Sequence, residues 1–128
     1  MISAMHPLRL LLGLSLLGAG AAHAQSNGDA ARGAKKYEEC AACHSTERGN
    51  NNVGPTLHGV LDRKAATLPE YRYSPALRRS NIVWTPQTLD AFIADPQAMV
   101  PANRMPYAGM PDAADRADLI AYLQKAFR

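Results

Sequence analysis

The chain has 128 residues, with 14 Lys and Arg against 11 Asp and Glu, a formal net charge of +3. Aromatic residues make up only 6% of it and no aromatic-studded basic stripe occurs, so nucleic acid is excluded as the expected partner. The length leaves room for one small domain with a modest core.

The first stretch does not belong to that domain. His6 and Arg9 form a basic start, Leu10 to Leu17 is an apolar run broken by Gly13 and Ser15, and Ala22-His23-Ala24 places small residues at the −3 and −1 positions of a cleavage site. The pattern predicts a signal peptide over residues 1–24, export to the periplasm, and a mature domain over 25–128. The apolar run is shorter than the roughly 20 residues a membrane helix needs, and nothing later is long or apolar enough to span. Arg9 is the only charged residue removed, so the mature chain keeps 13 cations against 11 anions, a net charge of +2.

In chain order, Asp29 can cap a helix running to about Glu39. Ala30, Ala31, Ala34 and Tyr37 recur at spacings of three and four, with Lys35 and Lys36 turned outward. From Ser45 to Leu61, Gly, Asn and Pro predict irregular loop. A short helix is expected within Pro69 to Arg79, and an extended step from Asn81 to Trp84. Thr85-Pro86 opens a helix to about Ala94, and Asp95-Pro96 a shorter one to about Val100. Prolines 101, 106 and 111 with Gly109 require an extended loop. Asp112 then caps a final helix whose buried stripe is Leu119, Ile120, Leu123, Ala126 and Phe127, flanked by Tyr122. No alternating strand appears, and the expected class is all-α with long loops.

The sharpest chemical signal is Cys40-Ala41-Ala42-Cys43-His44. Two thiols separated by two residues can each form a thioether to one haem vinyl group, and the next histidine is then held beneath the iron. A dithiol oxidoreductase would place the pair at the start of a helix in a βαβ setting, whereas here it ends a helix with no strands around it. A structural zinc site needs a second Cys or His cluster, which is lacking. A local disulfide leaves His44 without a role. A second axial ligand has four candidates: Met99, Met105, Met110 and His58. Met99 sits in a helix-like stretch where core packing is the ordinary reading, and Met110, abutting the last helix, reads as a core contact rather than a ligand. Met105, in the proline-flanked stretch Asn103-Arg104-Met105-Pro106-Tyr107, leads on local grounds without being singled out.

From about Gly28 onward the chain resembles the class I c-type cytochromes, close to the mitochondrial and bacterial c2-like group. The matching stretches are Gly33…Tyr37, Cys40 to His44, Gly54-Pro55-Thr56-Leu57-His58-Gly59, Arg63-Lys64, Tyr71 to Ser74, Ile82 to Trp84, Pro101 to Gly109 and Asp118 to Leu123. The resemblance implies a small fold of helices and loops around one covalent haem c, with the first and last helices crossing. It implies His44 as proximal and Met105 as distal iron ligand. It implies Pro55 as acceptor of the proximal histidine's Nδ1–H, and Arg63, Tyr73 and Trp84 as partners of the haem propionates.

Some positions depart from the family pattern. Phe92 and Leu77 stand where relatives often have tyrosine and asparagine, which implies a reduced polar network beside the haem. Glu39, Gln97 and Ala98 stand at positions that are often lysine, leaving Arg104 as the main cation near the haem edge and weakening electrostatic steering. The expected function is a monomeric periplasmic carrier of single electrons, not an enzyme, with transient redox-protein partners. The alternatives are a tightly bound electron-accepting subunit of a periplasmic dehydrogenase and, third, a peroxidase or gas-binding protein in which Met105 dissociates.

Overall fold

The computed structural model describes residues 27–127, so the leader expected over 1–24 lies outside the described residues. Asp29 caps α1 (Ala30–Lys36), its carboxylate accepting from the Ala31 and Arg32 amides. The sequence predicts one helix to about Glu39. The chain instead turns at Tyr37 and resumes as α2 (Glu38–Ala41). Tyr37 keeps right-handed backbone angles (φ −62°, ψ −22°). Its ring is clamped 5.4 Å from both Tyr122 and Phe127, which ties the turn to the other end of the chain.

The short helix expected within 69–79 is α3 (Pro75–Arg79). Ser74 is extended and accepts from the Leu77 amide, so the cap and the following proline fix the start there. Thr85 and Thr88 form a reciprocal capping box at the start of α4 (Pro86–Ala94). Asp95 caps α5 (Pro96–Met99) and Asp112 caps α6 (Ala113–Ala126). Among the described residues there is no strand, only an isolated bridge between Lys64 and Val83. The class is all-α, as expected.

The two ends of the domain lock together where α1 crosses α6. A Cβ on Gly33 would overlap the Asp118 carbonyl and lie 2.8 Å from the Tyr122 Cβ, so only glycine permits this approach. Buried Asp118 accepts from Arg32 Nε at 2.6 Å, from Arg32 Nη2 at 2.8 Å and from the Asp29 amide at 2.6 Å. Lys36, expected to face outward, reaches across to Asp115 at 2.7 Å, because the crossing brings an acidic turn of α6 within its length. Leu119 and Leu123 of α6 then join Val60, Trp84, Leu89, Phe92 and Ile93 in one core.

Candidate functional site

Cys40 lies in α2, and the Cys43 and His44 amides both donate to its carbonyl, at 3.1 and 2.9 Å, closing one tight turn. The Tyr37 hydroxyl donates to the His44 carbonyl at 3.0 Å, so the helix crossing also steadies this turn. His44 Nδ1 is 2.6 Å from the Pro55 carbonyl. A carbonyl can only accept, so Nδ1 carries the proton and Nε2 keeps its lone pair. Burial, followed by the nearby Arg63 charge, pulls the imidazole below its ordinary pKa against the opposing Pro55 bond, which favours the neutral ligand form. Gly54 makes room for the ring: a Cβ there would lie 2.7 Å from Nδ1.

Met105 is held by a different device. The chain turns at Val100–Asn103, with Ala102 in the left-handed region (φ 65°) and the Asn103 amide donating to the Val100 carbonyl at 3.1 Å. The buried Asn103 side chain donates to the Pro96 and Val100 carbonyls at 2.8 and 2.9 Å and accepts from the Met105 amide at 2.8 Å. Gln97 donates to the Asn103 carbonyl at 3.1 Å. One amide thus brackets α5 to the loop and sets where Met105 emerges. The sequence reading gave Asn103 no role. A single polar residue in a proline-rich loop has no periodicity to mark it.

These two devices meet at a cavity of about 280 Å³ lined by Cys40, Cys43, His44, Pro55, Arg63, Tyr73, Trp84 and Met105. All eight residues singled out from the sequence therefore share one site. Met99 packs against the core, Met110 is 5% exposed within it, and neither lines the cavity. His58 lies outside it too, with its Nε2 buried and unbonded. Arg63 donates to the His58 and Thr56 carbonyls at 2.9 and 3.0 Å, which anchors its guanidinium beside the cavity. Burial raises the Tyr73 phenol pKa and keeps it a donor. Phe92 packs against Trp84 with ring centroids 5.0 Å apart and the rings tilted by 58°, and both it and Leu77 line the cavity, in line with the reduced polarity expected there.

The residues present suit a large flat apolar group with an iron at its centre. Much of the lining is aliphatic or aromatic, including Leu57, Val60, Leu89 and Ile93. An imidazole with a free Nε2 lone pair and a soft thioether are the donor types that haem iron takes in this class of site. The Cys40 thiol is pushed up to about 11 by burial, then by Glu39 and Cys43. Such a thiol is no activated redox nucleophile, which disfavours the dithiol reading. No group of three or more His, Cys, Asp or Glu able to hold a metal ion occurs among the described residues. Paired thiols and an adjacent histidine opening into an apolar cavity within a helical shell define a c-type haem protein.

Comparison with known proteins agrees. Residues 30–127 match the cytochrome c family. Cytochrome c2 of Rhodopila globiformis is 48% identical over 85 residues, 66% of this chain and 80% of that protein. The cytochrome c-type cyt cy of Rhodobacter capsulatus is 45% identical over 97 residues, but this chain covers only 48% of it. The solved structure of cytochrome cH from Methylobacterium extorquens superposes with a TM-score of 0.72 at 42% identity, covering 76% of this chain and 98% of that one. The chain belongs to the cytochrome c family, as a class I c-type cytochrome. It carries one covalently attached haem c and serves as a monohaem electron carrier between redox partners.

Proposed function

We propose that His44 and Met105 would hold the haem iron, that Cys40 and Cys43 would form the thioethers, and that the mature protein, residues 25–128, is a monomeric periplasmic carrier with no enzymatic activity. One observation carries the ligand assignment: of the methionines and histidines in the described domain, His44 and Met105 line the cavity, whereas Met99, Met110 and His58 do not. Bound haem supplies an iron that cycles between two charge states. The chain's part is to keep the site dry, hold both donors still and leave an edge for electrons to enter and leave. Pro55 fixes the imidazole and Asn103 fixes the loop, so neither donor needs to move as the iron's charge changes. Arg63, Tyr73 and Trp84 are the partners for the propionates. With His44 and Met105 both holding the iron, a substrate would have to displace one of them to reach it.

Export is supported by the leader pattern. The match to cytochrome c2 of Blastochloris viridis, 38% identical over 118 residues, spans 91% of the chain and so takes in residues before the described domain. No helix among the described residues is long and apolar enough to cross a membrane.

The test is Met105→Ala in the exported holoprotein. Haem stays covalently attached, the iron binds added imidazole, and the reduction potential falls. A spectrum and potential unchanged from the wild type would mean that Met105 is not a ligand.

A further inference from the structure

Glu39, one of the positions where lysine is common in relatives, makes a contact that gives the departure a purpose. The Tyr107 hydroxyl donates to Glu39 Oε2 at 2.9 Å, joining residues 68 apart in sequence. Glu39 immediately precedes Cys40 in α2, and Tyr107 follows Met105 by two residues, its own amide donating to the Met105 carbonyl at 2.9 Å. Both side chains line the haem cavity. Upstream of Met105 the loop is held by Asn103, and downstream the Met110 amide donates to the Ile93 carbonyl at 2.8 Å. Between those anchors, the Tyr107 side chain is what ties the loop to the helix bearing the first cysteine.

We propose that the Tyr107–Glu39 hydrogen bond is a latch, closing the Met105 loop against the cysteine helix and setting how readily Met105 is displaced. The latch rests on the ligation by His44 and Met105 proposed above. The phenol is the donor and the carboxylate the acceptor, 2.9 Å apart. A carboxylate is the complementary acceptor, and a lysine at position 39 has no acceptor to offer. Glu39 and Tyr107 are therefore positioning residues that act on Met105 through the loop. The acid that thins the cationic rim is also the acid that fastens the distal wall.

Imidazole titration of the oxidised holoprotein tests this. Tyr107→Phe keeps the ring and removes only the hydroxyl, and Glu39→Ala removes the acceptor. Each variant should bind imidazole about three- to tenfold more tightly than the wild type, the range expected for loss of one partly exposed hydrogen bond to a charged group. The double variant should gain nothing further, because both changes remove the same bond. Glu39→Gln keeps an oxygen acceptor and should stay within about twofold of the wild type. Single variants that match the wild type, or effects that add in the double variant, overturn the latch while leaving the ligation intact. Wild-type protein that binds imidazole as tightly as Met105→Ala overturns the ligation, and the latch with it.

Discussion

The segments around His44 and Met105 line the same cavity, yet they are held by different kinds of structure. The histidine wall is local: one tight turn at the end of α2, a carbonyl eleven residues on that accepts from the ring, and a glycine that leaves the ring its space. The methionine wall is a helix-free loop held by one buried amide and by hydrogen bonds to other elements, from Met110 to Ile93 and from Tyr107 to Glu39 among them. Damage to the first wall should therefore abolish the site, and damage to the second should loosen it.

The largest effect is expected at the first wall. His44→Ala removes the side chain on which haem attachment is built, and the yield of exported haemoprotein should fall close to zero. Normal yield of a coloured protein would show that the two walls do not differ in this way. At the second wall, Asn103→Ala leaves the Pro96 and Val100 carbonyls and the Met105 amide without their side-chain partner. Loss of such a buried bracket costs about 3 kcal/mol, a fall in Tm of roughly 10–20 °C for a domain of this size. Haem should remain attached, and thermal melts of the holoprotein read the difference. A Tm within a degree or two of the wild type would mean that the loop is held by something else.

The smallest effect lies away from both walls, at the helix crossing. Arg32, then the Asp29 amide, hold the Asp118 carboxyl below its ordinary pKa of 3.8. A depressed folded pKa contributes stability that is fully present above the unfolded value and is lost as pH falls through the folded one. The contribution of this pair is therefore intact at neutral pH and fades only below about pH 4. Asp118→Asn should lower stability at pH 7 and flatten its decline in acid, measured by denaturant unfolding at several pH values. Parallel acid limbs for the two proteins would count against the assignment.

The sequence was informative where chemistry is contiguous or periodic. Cys40 to His44 names its own cofactor, Thr85-Pro86 and Asp112 mark their helix starts, and the stripe of the last helix shows its buried face at Leu119, Ile120, Leu123 and Phe127, while Ala126, expected in that stripe, is exposed. One helix boundary shifted for a reason outside its own segment: Tyr37 turns the first helix because its ring is captured by Tyr122 of α6, whereas α3 falls inside the run where a short helix was expected. Lys36 reads as a solvent-facing residue until the crossing brings Asp115 within reach. Met105 could not be separated from Met99, Met110 and His58 by local physics, because the distinction depends on which side chains reach the cavity. Asn103 and the Glu39–Tyr107 pair stayed silent for the same reason: their partners come from other elements, and spacing along the chain does not encode them.

The most direct test of the site is the far-red absorption of the oxidised, exported holoprotein, where methionine–iron ligation gives a weak band in this family. The band should be present in the wild type, persist in Met99→Ala and Met110→Ala, and vanish in Met105→Ala. Its absence from the wild type, or its survival in Met105→Ala, would contradict the account.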